Sequence, residues 1–188
     1  MKKNLGVQSA IFPMPVLMIG TYGKDDKIDV MNAAWGMMVD TGKIVLNLTE
    51  THKTVQNIKE RGAFTVAIAD VKHVAEADFL GIVSGNYDPE KFEKSGLHAT
   101  KSEFVDAPVI DEFPITMECK FIEYQSNENG CGVIGEIVNV VADEEVLDEN
   151  GKVEPSKLNA ILYDTFKHGY YIVGEKVGQA FSDGKKLA

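Results

Sequence analysis

Residues 49–54 of the chain read TETHKT, and they stand between the apolar run IVLNL at residues 44–48 and the mixed segment VQNI at residues 55–58. The pattern predicts a strand that ends where a helix begins, capped by Thr51 or a neighbour. A helix N-terminus carries partial positive charge, so Lys53 in its first turn is repelled unless a negative group also lies there. The segment therefore indicates either a polar loop with an ordinary helix cap or a phosphate site.

Composition limits what such a site can serve. The chain has 188 residues with 44% hydrophobic content, which predicts one domain over residues 1–188. Its net charge of -10 disfavours nucleic acid and anionic membranes as partners. No apolar run approaches membrane-spanning length, so we expect a cytoplasmic protein with no membrane partner. Cys119 and Cys131 are too few for a disulfide framework and lack metal-site spacing, and no metal site is predicted.

Hydrophobic periodicity predicts a mainly β chain with a few helices. Strand patterns occur at residues 16–22, 28–35, 43–48, 63–69, 115–124, 133–142 and 170–173, and residues 37–39 continue the second of them. Helical patterns occur at residues 51–61, 71–80, 90–94 and 155–162, with glycine stop signals at positions 62, 81 and 96. The first three strands suggest an antiparallel meander. Because the elements do not alternate βαβ, a barrel or strongly curved sheet with outer helices fits better than a doubly wound fold.

One dinucleotide-binding pattern is misleading. Residues 130–135 read GCGVIG and satisfy GxGxxG, but the β-branched run EIVNVV follows at residues 136–141. The fingerprint binds a pyrophosphate only when it leads into a helix. We therefore expect these glycines in a hairpin turn and a strand bend, after a loop at residues 125–130. Cys131 is expected in a glycine-rich loop, where it could be an accessible thiol, and Cys119 in a strand core.

A second segment, DVMNAAWG at residues 29–36, has unusually little side-chain bulk around its tryptophan. Small residues permit close approach of the backbone, which suits a flat aromatic ligand that seeks N–H and C=O partners. A core strand with an anchoring tryptophan is the alternative.

Together these segments resemble the flavin reductase-like, FMN-binding split-barrel family, in particular its flavoredoxin-like branch. The resemblance rests on Asn32-Ala33-Ala34-Trp35, Thr49-x-x-His52-Lys53-Thr54-x-x-Asn57-Ile58 and Gly62-Ala63-Phe64-Thr65-Val66. It continues through shorter motifs at residues 77–81, 84–85, 91–97, 107–108, 118–119, 135–138 and 170–174. Their order and spacing cover nearly the whole chain.

The resemblance implies a fold, an assembly and a set of cofactor-binding residues. The fold is a Greek-key split β-barrel with flanking helices, and the assembly is a homodimer with an FMN site at each subunit boundary. The FMN phosphate is expected at Thr49, His52, Lys53 and Thr54. The isoalloxazine is expected against Asn32, Ala33, Ala34 and Trp35, largely through backbone contacts. A loop that approaches the flavin contributes Ser84, Gly85 and Lys91, and the ring is covered by Tyr163 and Phe166.

The same resemblance implies that the cofactor carries the chemistry, so no catalytic side chain is assigned. One hypothesis is an NAD(P)H-dependent flavin reductase-like oxidoreductase that passes electrons to a flavin, a metal complex or a redox protein. The alternative is a noncatalytic FMN electron carrier, which the acidic charge favours because such carriers dock on basic surfaces. A flavin-binding protein without a redox partner is the third hypothesis.

Overall fold

The computed structural model describes residues 1–127 and 130–187, without the side chains of residues 127, 130 and 131. Its strands are β1 Met14–Pro15, β2 Leu17–Tyr22, β3 Ile28–Ala33, β4 Gly36–Asp40, β5 Lys43–Leu46, β6 Ala63–Ile68, β7 Ala99–Lys101, β8 Pro108–Ile110, β9 Ile115–Asn127, β10 Gly130–Ala142, β11 Ile161–Tyr163 and β12 Tyr170–Ile172. Its α-helices are α1 Lys53–Arg61, α2 Val74–Ile82 and α3 Lys91–Ser95. Short 3₁₀ helices lie at Val71–His73, Glu144–Val146, Pro155–Lys157 and Asp183–Leu187.

The main sheet is antiparallel and has the strand order β3-β2-β6-β9-β10-β5-β4. Its two terminal strands, β3 and β4, are consecutive in sequence and are linked only by Ala34 and Trp35. A flat sheet of seven strands would separate its edges by about 29 Å, whereas this link spans at most about 11 Å. The sheet must therefore curl until its edges face each other, and it forms a barrel that is split between β3 and β4.

This strand order corrects the predicted meander. β2 and β3 form one hairpin, with Leu17 opposite Ala33, and β4 and β5 form another, with Gly36 opposite Leu46. The two hairpins lie at opposite ends of the sheet instead of side by side. The alternation of apolar residues predicts which face of a strand is buried, but it does not predict the neighbouring strand.

The two faces of the sheet have separate hydrophobic clusters. Inside the barrel, Ile19, Phe64 and Cys119 pack with Val55 and Ile58 of α1, so this helix lies against the barrel interior. Burial of Cys119 confirms its prediction as a core residue. The outer cluster packs α2 and α3 against the other face through residues such as Leu80 and Phe92. α2 and α3 therefore lie on the outside of the curved sheet, as predicted, whereas α1 packs against its interior.

Four local predictions need correction. The 71–80 helix continues through Gly81 to Ile82, and the 155–162 segment is a 3₁₀ turn followed by β11. Residues 125–127 and 130 of the predicted loop belong to β9 and β10, while residues 128–129 and the Cys131 side chain lie outside the described residues. A hydroxyl cap on α1 is not formed, because the N-cap is His52 and its side chain makes no capping bond.

Gly62 and Gly135 perform the predicted roles. Gly62 ends α1 with φ 70, in the left-handed conformation that glycine adopts without strain. Gly135 lies in β10 at a shift of register between Ile134 and Gly135, the irregularity expected of a strand bend, and a Cβ there would stand 2.4 Å from the Phe64 ring. The GxGxxG pattern therefore ends inside an antiparallel strand, and the structure gives it no helix to lead into. Over residues 1–127 and 130–187, no helix is long and apolar enough to cross a membrane.

Candidate functional site

A cleft of about 320 Å³ opens where β3 passes into β4. Its volume lies at the lower end of the range of small-ligand sites, roughly 300 to 1,000 Å³. Six residues singled out from the sequence line it: Asn32, Ala33, Ala34, Trp35, His52 and Tyr163. The split of the barrel therefore brings the NAAW segment, the TETHKT segment and β11 to one place.

The floor of the cleft is the end of an edge strand. β3 pairs with β2 on one side only, so its other backbone edge is left for further partners. The Asn32 side chain turns away to α2, where its Nδ2 donates to the Ala77 carbonyl at 2.9 Å. A Cβ on Gly81 would stand 2.2 Å from Asn32 Oδ1, so α2 can come this close only because residue 81 is glycine. This arrangement leaves the backbone of residues 32–34 as the surface for a ligand.

Aromatic rings form one wall of the cleft. The Tyr163 ring centroid lies 6.3 Å from that of Trp35 and 6.2 Å from that of Tyr170. Tyr170 donates its hydroxyl to Asp78 Oδ1 at 2.7 Å. Burial, together with this bond, raises the pKa of Tyr170 well above its usual value, so the hydroxyl stays protonated. Tyr163 Oη in turn lies 2.5 Å from His168 Nδ1, so each tyrosine hydroxyl is held by a side-chain partner, Asp78 within the cleft and His168 outside it.

The other end of the cleft meets the N-terminus of α1. This helix has no acidic residue in its first turn, and its first backbone N–H groups have no partner within the helix. His52 Nδ1 is buried at the cleft, and no residue of the described chain gives it a hydrogen-bond partner. Buried polar atoms are nearly always bonded, so this nitrogen indicates a place for a ligand.

A second hollow of about 260 Å³ lies beside the same helix end and is lined by Lys53, Asp29, Asn57 and Gly85. A Cβ on Gly85 would stand 3.2 Å from Lys53 Cγ, so the 84–85 loop lies against this lysine. Asn86 ties that loop to the helix start by donating its Nδ2 to the Thr51 carbonyl at 2.9 Å. Within the described residues, no carboxylate pairs with the Lys53 ammonium within 4.0 Å.

Two predicted cofactor residues already have buried partners. The Thr54 hydroxyl donates to Asp29 Oδ2 at 2.5 Å. Lys91 is buried and donates to the carbonyls of Leu80 at 3.0 Å and Val83 at 2.9 Å, with Asp29 Oδ1 3.6 Å away. Burial lowers the pKa of Lys91, and Asp29 opposes this effect. Asp29 thus lies between Thr54 at the start of α1 and Lys91 at the start of α3.

Three other predicted residues line neither hollow. Thr49 is exposed and its carbonyl accepts the N–H of His52. Ser84 accepts two backbone N–H groups at its carbonyl, and its side chain accepts from Asn86. Phe166 is exposed beside the Asp164 turn.

Sequence reasoning missed several residues that line the cleft, namely Val16, Met31, Leu48, Asp78, Ile82 and Tyr170. Asp78 and Tyr170 belong to motifs that carried the family resemblance, which was the available signal. The apolar residues of this set show, in the sequence, only the pattern of ordinary strand and helix residues. Their contribution depends on the curl of the sheet, which brings them to the cleft.

Comparisons with known proteins show the family to which the chain belongs. The chain is similar to an uncharacterized protein of Aquifex aeolicus, 27% identical over 166 residues that cover 82% of each chain. It is similar to the flavoredoxin of Desulfovibrio vulgaris (Miyazaki F), with 36% identity, TM-score 0.92, and coverage of 98% of this chain and 100% of the other. It is also similar to the flavoredoxin from Methanosarcina acetivorans, with 26% identity, TM-score 0.89 and complete coverage of both chains. The family described as "Flavin reductase like domain" matches residues 9–169, and the chain belongs to this family of split barrels.

Proposed function

We propose that this protein binds FMN and passes electrons from NAD(P)H through it to a flavin, a metal complex or a redox protein. Membership of the flavin reductase-like family implies a flavin cofactor. One observation carries the choice of FMN. A cleft with an aromatic wall lies next to the start of α1, where Lys53 has no carboxylate partner in the described chain. A flat ring joined to a phosphate matches both parts.

The cleft suits the isoalloxazine by shape and by polarity. The aromatic rings of Trp35 and Tyr163 offer it flat apolar surface. The backbone of residues 32–34 offers N–H and C=O groups along the free edge of β3, which are the partners that a ring with alternating donors and acceptors needs. Ala33 and Ala34 leave room for this approach.

The helix start suits the phosphate. Backbone N–H groups at the start of α1 and the ammonium of Lys53 would carry its charge, and His52 would add a hydrogen bond. Ser84 and Gly85 would close the site from the loop that Asn86 fastens to Thr51. Thr54 would contribute its backbone N–H, because its hydroxyl is bonded to Asp29. When bound, FMN supplies the redox chemistry, accepting a hydride and releasing electrons.

A second candidate function is a noncatalytic electron carrier. It is favoured by the net charge of -10, which suits docking to a basic redox protein, and by the similarity to two flavoredoxins. Under either function we propose a single domain over residues 1–188, a cytoplasmic location and a homodimer.

The test is a titration of flavin-free protein that uses Trp35 as the reporter. Trp35 is the single tryptophan and lines the cleft, so FMN and riboflavin should both quench its emission. If the protein binds none of FMN, riboflavin and FAD at micromolar concentration, the proposal is refuted. Rapid mixing of the FMN-loaded protein with NADH or NADPH then separates the two functions, since an enzyme bleaches within seconds and a carrier does not.

A further inference from the structure

A buried ion pair lies beside the hollow that contains Lys53. Lys91 is 2% exposed and Asp29 is 6% exposed, and Lys91 Nζ lies 3.6 Å from Asp29 Oδ1. Among the ion pairs of residues 1–127 and 130–187, this is the one in which both side chains are almost fully buried. Removal of two charges from water costs free energy that a neutral pair would not cost, so stability alone does not explain such a pair. Its charges are therefore expected to act on something nearby.

The hydrogen bonds of Lys91 do not by themselves require a charge. Its ammonium donates to the carbonyls of Leu80 and Val83 at the end of α2. A neutral amide or hydroxyl donor would satisfy carbonyls at a helix end without burying an ion. Burial lowers the pKa of Lys91, whereas Asp29 opposes this effect and favours the charged form. The positive charge of Lys91 is thus matched to the carboxylate of Asp29.

The carboxylate of Asp29 borders the hollow itself, together with Lys53 and Gly85. Its Oδ2 accepts the Thr54 hydroxyl in the first turn of α1, whereas its Oδ1 has no hydrogen-bond partner within the described residues. A Cβ on Gly85 would stand 2.2 Å from Asp29 Oδ1 and 3.2 Å from Lys53 Cγ. The 84–85 loop therefore lies against both the carboxylate and the lysine that is proposed to meet the phosphate.

A carboxylate without a counter-charge in this place would oppose the binding of a phosphate. Like charges repel most strongly where little water screens them, and the Asp29 side chain is almost fully buried. Lys91 supplies the opposite charge from α3, whereas Lys53 has no carboxylate partner within 4.0 Å in the described chain. One lysine thus cancels the negative charge at the hollow, and the other is left to attract the ligand.

We propose that Lys91 is a positioning residue for the phosphate of the bound flavin and that it acts through Asp29, without touching the ligand. It neutralises the carboxylate beside the hollow and holds the end of α2, from which the 84–85 loop runs past Asp29 to Lys53. Lys91 itself lines neither the cleft nor the hollow. The inference rests on the proposed function, because it concerns how the FMN phosphate is accepted. It differs from the direct contact with the flavin that the family resemblance implies for Lys91.

The first experiment measures the dissociation constants of FMN and riboflavin by Trp35 quenching for the wild type and for Lys91→Gln. The amide keeps a donor for the carbonyls at the end of α2 but removes the charge. The FMN dissociation constant should rise roughly tenfold or more, because the carboxylate of Asp29 then repels the phosphate. Riboflavin has no phosphate, so its dissociation constant should not change. Lys94→Gln is the matched control, since Lys94 lies on the same helix and pairs with Asp88 at the surface, and it should change neither constant.

Removal of both charges gives a sharper test. The double variant Asp29→Asn/Lys91→Gln replaces the ion pair by two amides, and buried ion pairs often tolerate neutral replacement. Its FMN dissociation constant should return to within about threefold of the wild-type value, because no carboxylate is left to repel the phosphate. Asp29→Asn alone should keep the FMN affinity or raise it, for the same reason. This single change tests the proposal even if Lys91→Gln does not fold.

Several results would overturn the proposal. Equal losses of FMN and riboflavin affinity in Lys91→Gln would show that the pair only supports the fold. A loss of FMN affinity that persists in the double variant would show that Lys91 contacts the phosphate directly. A wild type that binds FMN, with an unchanged FMN constant in Lys91→Gln, refutes this inference and leaves the proposed function standing. A wild type that binds no flavin refutes both.

Discussion

Substitution of Lys53 by alanine separates binding of the phosphate from binding of the ring. Lys53 begins α1, and in the described chain its ammonium has no carboxylate partner within 4.0 Å. A charge-assisted hydrogen bond to a phosphate contributes about 1.5 to 3 kcal/mol. Lys53→Ala should therefore raise the FMN dissociation constant roughly ten- to a hundredfold. Riboflavin has no phosphate, so its affinity should not change.

The assay is a pair of Trp35 quenching titrations, with FMN and with riboflavin, on the wild type and on each variant. Lys24 is a poor control, because it lines the same hollow as Lys53. Lys43 is a better one: it lies on β5, is half exposed, and is 4.0 Å from Asp40. Lys43→Ala should leave both affinities unchanged. Equal losses for the two ligands in Lys53→Ala would refute the reasoning, and so would an unchanged FMN affinity.

Three further predictions concern stability. Gly62→Ala should lower the free energy of unfolding by about 1 to 2 kcal/mol, because φ is 70 at this position and alanine is strained there although its Cβ would meet nothing within 4 Å. Gly62→Asn should lower it by less, because asparagine tolerates this conformation better. Equal urea unfolding curves for the wild type and the two variants would contradict this prediction. Burial raises the pKa of the Cys119 thiol to about 12, whereas the thiol of an unfolded chain has a pKa of about 8.5. The contribution of the thiol to the free energy of unfolding is therefore complete below about pH 8.5 and is lost as the pH rises towards 12, because the unfolded state ionises first. In a Cys131→Ser background, the difference in free energy of unfolding between the chain with Cys119 and the Cys119→Ala variant should shrink from pH 8 to 10.5. A difference that stays constant would contradict the raised pKa of Cys119. Asp29→Asn should cost about 3 kcal/mol by leaving Lys91 buried without a counter-charge, and a loss below about 1 kcal/mol would show that Asp29 does not balance Lys91.

Much of the fold could be predicted from local patterns. The long alternating or β-branched runs became β2, β6, β9 and β10, and the glycines at positions 62 and 96 ended α1 and α3. These signals lie within the segment that they describe, so the sequence alone contains them. The NAAW and TETHKT segments were also found, because small residues in a strand and a lysine at a helix start are locally unfavourable choices.

The remaining features depend on contacts between distant segments. Gly81 has the pattern of a helix stop, but it lies inside α2 because Asn32, nearly fifty residues earlier, needs the space. A lysine is expected on a surface, yet the carbonyls of Leu80 in the last turn of α2 and of Val83 just after it accept from the Lys91 ammonium, which is buried. Asp29 is an ordinary acidic residue in the sequence, and only the fold shows that it faces both Thr54 and Lys91.

The split of the barrel explains why the site lies where it does. A closed barrel would join β3 and β4 by hydrogen bonds and would leave no free backbone at residues 32–34. The two-residue link through Ala34 and Trp35 keeps these edges close but unpaired, so under the proposed function a flat ligand with donors and acceptors would take the place of the missing ladder. The same split leaves β4 as an exposed edge, which natural sheets cover or protect. The opening that would admit the proposed flavin thus also creates the surface that a second subunit would cover, so cofactor binding and dimer formation are expected to reinforce each other.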